Sequence, residues 1–439
     1  MSSSAPTGSC DVLVIGGGPA GSTAASLLAA AGCRVVLVEK ERHPRFHIGE
    51  SLLPANLPLL EQLGVGARVR DIGMQKWAAE FVSPWDGRRQ EFEFAGCWDK
   101  TMPFAYQVRR SQFDEILIRR AAELGAEVIE GCRVDDVEFG ASTAQAGAAA
   151  ATVHALDEDG SRRCWRADYV VDASGRDTFL GARLRSKRRN ERHNSAAIYA
   201  HFTGARRHAG KREGNISIFW FDHGWFWFIP LADGTTSVGA VVWPRYLKTR
   251  TAGLREFFFS TIALCPPLAE LLATATLCSE VSATGNYSYS CTHTHGRNYL
   301  LVGDAYAFID PVFSSGVMLA MTSGSAAAEA IVACRREPRR AARALRRFDR
   351  RVRHGPRHFS WFIYRVTNPT MRELFLGPRN VLRMQEALLS VLAGDIFGRT
   401  PIWASLRAFK AVYYLVSLAN WRRTRAAARR RSENIMIGE

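Results

Sequence analysis

Three textures of apolar and polar positions alternate along the chain. Short runs such as CDVLVI (10–15) and CRVVLVEK (33–40) are apolar at nearly every position, the pattern of strands buried on both faces. Between them PAGSTAASLLAAAG (19–32) is rich in Ala and Leu and ends on Gly32, which predicts a helix with a glycine stop. Strand, helix and strand form a β-α-β unit. RSQFDEILIRRAAELG (110–125) places Phe113, Ile116, Leu117, Ala121 and Leu124 at helical spacing before Gly125. AEVIEGCRVDDVEFG (126–140) and ADYVVDASG (167–175) predict strands, with the small-residue stretch 141–153 as a variable surface turn between them.

From 186 to 284 the segments SAAIYAHF, NISIFWF, GWFWFIPL and TTSVGAVVW predict a second sheet. In GWFWFIPL (224–231) strand alternation puts Trp225, Trp227 and Ile229 on one side and Phe226 and Phe228 on the other. Both sides are apolar, so this strand is expected between two layers. Residues 299–332 return to strand, loop and long helix, and 339–431 are helical and basic. There is no internal repeat.

At 439 residues the chain suits two or three structural units, and its 47% hydrophobic content is ordinary for a globular protein. No apolar run is expected to reach the roughly 18 residues of a membrane span. The N-terminal MSSSAPTGSC has neither a basic nor an apolar signal region, and nine cysteines fall without a C-x-x-C pair. A cytoplasmic protein with no disulfide framework and no metal site is the expectation.

The net charge of +16 is unevenly spread: residues 335–439 hold 24 Lys/Arg against 7 Asp/Glu, and the rest of the chain is close to neutral. That distribution describes a local basic surface and argues against a dedicated nucleic-acid-binding protein. An acidic carrier protein, an anionic membrane surface or an RNA would answer such a charge, and a solvated arginine face is the plainer alternative. In the last helix Trp403, Leu406, Phe409, Val412, Val416 and Ala419 share one stripe, followed by six Arg within 422–431. A peripheral membrane helix, a carrier-docking helix and a helix packed on the substrate domain all fit that pattern.

The chemistry begins at Gly16-x-Gly18-x-x-Gly21. The first glycine makes a tight turn, the second admits a pyrophosphate, and the third lets helix and strand approach. Amides near Ala20 at the helix N-terminus face the phosphates. Glu39, 18 residues after Gly21, ends the second strand, where a carboxylate accepts from ribose and favours FAD or NAD over NADP. Val108-x-Arg110-x-x-Phe113-Asp114 and Leu301-Val302-Gly303-Asp304-Ala305 resemble the second and third fingerprints of FAD enzymes of the p-hydroxybenzoate hydroxylase type. That resemblance implies Arg110 on the adenosine or pyrophosphate side and Asp304 accepting from the ribityl chain. Asp172-Ala173-Ser174-Gly175 resembles the turn that closes over the same cofactor. With one such glycine turn in the chain, no separate nicotinamide domain is visible.

RFHIGESLLP (45–54), GWFWFIP (224–230) and DPVFSSG (310–316) together resemble the flavin-dependent halogenases, over nearly the whole chain. The resemblance implies an α/β fold: a discontinuous Rossmann-like FAD-binding domain (1–75, 105–185 and 285–338), a β-sheet substrate domain (76–104 and 186–284) and a basic C-terminal helical region (339–439). It adds Arg45 and Ser51 to the cofactor-binding positions. Trp225, Trp227, Ile229 and Pro230 would form a wall between flavin and substrate. Halide would then be the nucleophile small enough to reach the oxidising flavin, giving hypohalous acid.

The family's lysine corresponds to Lys76 in GMQKWAAEF (73–81), which would hold the halogen through a hydrogen bond or as an N-haloamine. Gly73 and Ala78 replace a Phe and a Gly of the family's pattern around it. Ser315 and Gly316 fall where backbone amides would hold halide. Phe313 stands where tryptophan halogenases carry a glutamate, which points to a phenol or pyrrole, free or tethered to an acyl carrier protein. The implied partners are FADH2 from a separate flavin reductase, O2 and halide. An FAD monooxygenase or dehydrogenase, a geranylgeranyl-reductase-like oxidoreductase and a non-catalytic flavoprotein remain the alternatives.

Overall fold

The computed structural model describes residues 8–140, 151–191, 193–285, 288–398 and 400–435. Strand Gly8–Ile15 lies inside a seven-stranded sheet, flanked in parallel by Val35–Glu39 and by Arg162–Asp172. Glu127–Glu130 extends the parallel row beyond Val35–Glu39. Beyond the far edge of Arg162–Asp172, strand Tyr299–Leu301 continues it in parallel, while Ala151–Asp157 and Cys132–Phe139 add antiparallel strands. Val12, Leu13 and Val14 are completely buried, which is why the run carries no polar alternation. Of the predicted surface turn, 141–150 lie outside the described residues and 151–153 already belong to strand Ala151–Asp157.

Helices Pro19–Ala30 and Gly316–Arg336 pack against each other over this sheet. Their contact depends on Gly324, where a Cβ would collide with the carbonyl oxygen of Ala20. Gly316–Arg336 has the length and hydropathy of a membrane span, contrary to the expectation that no such run exists. Most of it is buried within the protein, as in a core helix.

The second sheet has eight strands, running Thr276–Leu277, Ala196–Thr203, Thr235–Val242, Gly224–Pro230, Ile216–Phe221, Ala78–Val82 and Arg89–Glu93, with Ser282–Thr284 also on Ala196–Thr203. Trp225, Trp227 and Ile229 enter one core cluster and Phe226 and Phe228 the other, as strand alternation requires. The Trp-bearing face is covered by the C-terminal helices Ala341–Ile363, Pro369–Leu376, Met384–Ala393 and Trp403–Ala419. The basic region is thus built into the core that holds the indoles.

On Trp403–Ala419 the buried side chains are Leu406, Phe409 and Tyr413, while Val416 is half-buried and Ala419 exposed. The helix spends its apolar stripe inside the protein. Its outer surface exposes Tyr414, Leu415 and Leu418, and the next helix, Trp421–Ile435, begins with an exposed Trp421.

Candidate active site

At Gly16 and Gly21 the turn after Gly8–Ile15 has room for hydrogen only. A Cβ on Gly16 would lie 2.5 Å from the Ala173 carbonyl oxygen, and one on Gly21 would overlap the Gly16 carbonyl oxygen. Gly16 also sits at φ +101°, in the left-handed half of backbone space. Gly18 is open: a Cβ there would meet only Arg45 Nη2, at 3.7 Å. Gly16, Gly18 and Ala20 line a cavity of about 610 Å³ at the start of helix Pro19–Ala30.

The same cavity is lined by Glu39, Arg45, Ser51, Arg110 and Asp304, and at its other wall by Trp225, Trp227 and Ile229. Glu39 accepts from the Gly17 amide at 2.6 Å and the Glu41 amide at 3.0 Å, so its carboxylate is held at the strand end with lone pairs to spare. Arg110 is bidentate to Asp114, at 2.8 and 2.9 Å, and donates to the Ile48 carbonyl at 3.0 Å. It therefore ties loop 45–51 to the helix while lining the cavity. Arg45 stands 3.5 Å from the same Asp114. Burial raises the Asp304 carboxyl to about 6, against the opposing pull of Arg110 and Arg176.

These residues fit FAD. One cavity joins a glycine turn with no room for a Cβ at Gly16 or Gly21, a helix N-terminus, an acid ending the second strand and an aromatic wall. Bound there, FAD would be held by Gly16, Gly18, Ala20, Glu39 and Asp304, with loop 45–51 beside it, while Gly21 lies outside the lining and lets the helix pack on the turn.

The indole wall is fixed from behind. Trp227 Nε1 donates to Ser237 Oγ at 3.1 Å, and the ring lies over Gly239, its register partner on the neighbouring strand. Any Cβ on Gly239 would penetrate that ring. Trp225 and Trp227 lie 6.1 Å apart, and Tyr199 adds a third ring 6.1 Å from Trp227. Pro230 is buried in the same strand but does not line the cavity.

Lys76 ends the short strand Met74–Lys76 and is 1% exposed. Its Nζ donates to Ser51 Oγ at 2.9 Å and to the Leu52 carbonyl at 2.6 Å, and lies 5.2 Å from the centre of the Phe94 ring. No ion pair to Lys76 exists among the described residues, and burial lowers the amine to about 7. Asn215 anchors the next two residues, accepting from the Trp77 and Ala78 amides at 2.9 Å each. Gly73 has a steric reason: a Cβ would sit 2.7 Å from the Val69 carbonyl oxygen and 2.8 Å from the Tyr106 ring.

Loop Asp310–Gly316 meets the cavity from the far side. Ser314, at φ 55°, and Gly316 line it, whereas Ser315 does not. Ser315 is 1% exposed and its Oγ has no hydrogen-bond partner, a buried polar group that calls for one. Phe313 is stacked on Phe375 with centroids 6.1 Å apart, in an apolar box with Phe81.

Sequence reasoning missed several residues here. Phe46 and Arg176 line the cavity, Arg176 directly after the D-A-S-G turn that could have signalled it. Buried His201 stands 2.9 Å from Glu50, a lining residue inside the 45–54 stretch, and no motif marks the histidine.

The fold and cavity define an FAD-binding protein. Residues 9–354 match the FAD binding domain family. A flavin-dependent halogenase of Armillaria mellea, armH1, is 36% identical over 74% of this chain and 65% of its own length. The 1H-pyrrole-2-carbonyl-[peptidyl-carrier protein] chlorinase of Pseudomonas fluorescens is 29% identical over 88% of this chain and 89% of its own. The solved myxobacterial chondrochloren halogenase CndH is 34% identical with a TM-score of 0.76, covering 88% of this chain and 90% of that one. The chain spans about two thirds of the length of the Armillaria relative. It belongs to the flavin-dependent halogenases.

Proposed function

We propose that this protein chlorinates or brominates an electron-rich aromatic, a phenol or a pyrrole, through hypohalous acid and Lys76. The observation that carries the reading is the placement of Lys76: a buried amine, with no carboxylate paired to it among the described residues, hydrogen-bonded to a serine that lines the FAD cavity. Reduced FAD, when bound, supplies the oxygen-activating chemistry.

The chain's own residues divide the remaining work. Trp225 and Trp227 close one wall of the cavity and keep an arene from the cofactor. The backbone amides of Ser315 and Gly316, at the start of helix Gly316–Arg336 where amides have no partners within the helix, hold halide at the opposite edge. Lys76, whose amine burial lowers to about 7 so that a neutral fraction is present there and grows above it, either donates a hydrogen bond to hypohalous acid or exchanges a proton for halogen. In the second case an N–X bond forms, the O–X bond breaks and water leaves. A single held halogen then reaches a single ring carbon, and the ring proton is lost as the C–X bond forms.

Phe313, in its apolar box, offers no base for that last proton, which favours a ring activated by its own hydroxyl or nitrogen. The likeness to the carrier-protein chlorinase supports a tethered pyrrole as one substrate form. Reduced flavin comes from a separate reductase, since the chain has one glycine-turn nucleotide motif. Product mass spectrometry with FADH2, O2 and chloride or bromide, on phenol, free pyrrole and carrier-bound pyrrole acids, tests the proposal. Absence of halogenated product from all of these, with reduced flavin still oxidised, overturns it.

A further inference from the structure

The last helix sends one arginine into the protein. Arg431 donates from Nη2 to Nδ1 of His193, and its guanidinium lies 5.7 Å from the Trp243 ring centre. His193 is 3% exposed, and its Nε2 is 3.5 Å from Asp310 Oδ2. Because Nδ1 accepts from an arginine, the imidazole is neutral with its proton on Nε2, on the side of the carboxylate. Arginine, neutral ring and carboxylate thus follow one another, the last step an electrostatic approach at 3.5 Å and not a formed hydrogen bond.

Asp310 is also 3% exposed and is fully engaged. Oδ2 accepts from Ser195 Oγ at 3.1 Å, and Oδ1 accepts from the Val312 amide at 3.2 Å, capping the turn Pro311–Phe313. That turn leads through Ser314, held in left-handed backbone space, into Ser315 and Gly316. A non-glycine residue in that region stays there only when its surroundings hold it. His193, Ser195 and Asp310 further share a small cavity with Trp225, whose other side forms the FAD cavity wall.

We propose that Arg431 is a positioning residue for the halide site, acting through His193 and Asp310 on loop Asp310–Gly316. The C-terminal helix is thereby part of the active-site architecture, although its arginine lies 238 residues from its histidine partner. This rests on the assignment of halide to Ser315 and Gly316, and it adds the element that shapes that site from outside.

The test is a bromide titration of the FAD-loaded protein, read by flavin absorbance and fluorescence, with halide KM and kcat measured alongside. Arg431→Ala is expected to raise the bromide concentration at half-effect about tenfold and the halide KM in parallel. FAD affinity and kcat at saturating halide are expected to stay near wild type. Added guanidinium is expected to recover part of the loss in Arg431→Ala, a rescue that a purely structural defect would not give. Should Arg431→Ala fail to fold, Arg431→Lys, which keeps charge but not the planar fork, carries the same readouts. An unchanged halide response in the folded variant overturns the inference. A wild-type flavin signal that ignores bromide overturns the halide assignment instead.

Discussion

Lys76 Nζ donates to Ser51 Oγ at 2.9 Å, yet only Ser51 of the two lines the FAD cavity. The amine stands one side chain behind the cavity surface, and a halogen oxidised in the cavity would reach it past that hydroxyl. Two further constraints keep it there: the Leu52 carbonyl accepts its second hydrogen, and strand Met74–Lys76 is paired to Ala105–Gln107. In the proposed reaction, oxidation in the cavity and transfer at Lys76 would be separated by the Ser51 side chain.

Lys76→Ala is expected to abolish halogenated product while FAD binding and reduced-flavin oxidation continue. Lys76→Arg should fail equally, because a guanidinium stays charged and cannot accept halogen. Native product from either variant would make the lysine structural.

The pH dependence follows from the lowered amine. Below about 7 both folded and unfolded states carry the proton, and the folded state bears the full cost of a buried cation. Above that value the folded state releases it while the unfolded chain keeps it up to the ordinary lysine value of 10.5, so stability rises with pH in this window. Lys76→Met should remove about 1 kcal/mol of that rise per pH unit, measured as the difference between urea unfolding curves at pH 7, 8 and 9. Transfer of halogen should also increase through pH 7 in the wild type. An identical pH slope for both proteins would contradict a neutral Lys76.

Much of the FAD site was legible in the sequence because it is local. Gly16, Gly18 and Gly21 sit on one turn, and Glu39 follows at a fixed distance. The faces of Trp225 and Trp227 follow from a period of two. Side chains that meet across the fold left no such trace. Ser51 and Lys76 are 25 residues apart with no shared period, and Arg431 looks like its neighbours in an arginine run. The stripe on helix Trp403–Ala419 matches the structure at Leu406 and Phe409 but drifts beyond them, where packing buries Tyr413 and leaves Ala419 exposed. The span-like character of helix Gly316–Arg336 is hard to see by eye because Gly, Ser and Thr dilute its apolar positions without lowering its mean hydropathy enough.

Gly239→Ala tests the wall without touching an indole. The new methyl would displace the Trp227 ring, costing about 1–3 kcal/mol as overpacking and pushing the ring toward the cavity. Weaker FAD binding with altered flavin fluorescence is the expected result. By comparison, Trp227→Ala removes the ring, at about 3–5 kcal/mol of stability, and is expected to yield some hydroxylated product as the arene gains access. Normal FAD affinity in Gly239→Ala would mean the ring has room that the register does not show.

The remaining arginines of the last helix bear on partner choice. Arg422, Arg425 and Arg430 are exposed, close in sequence to exposed Leu415, Leu418 and Trp421. Docking of an acidic carrier protein there predicts that turnover of a carrier-bound substrate falls steeply between low and physiological salt, since exposed charges are screened beyond a Debye length of about 8 Å. Turnover of a small free phenol should change little, because its chemistry lies inside the fold. Reversing Arg422 and Arg425 to Glu should raise KM for the carrier-bound substrate several-fold and leave the free phenol unaffected, separating docking from catalysis. Co-sedimentation with anionic but not neutral vesicles, lost in the same variant, would assign the surface to a membrane instead. Flat salt curves for both substrates, together with no vesicle binding, would leave these arginines as a solvated face, in contrast to Arg431 with its partner inside the protein.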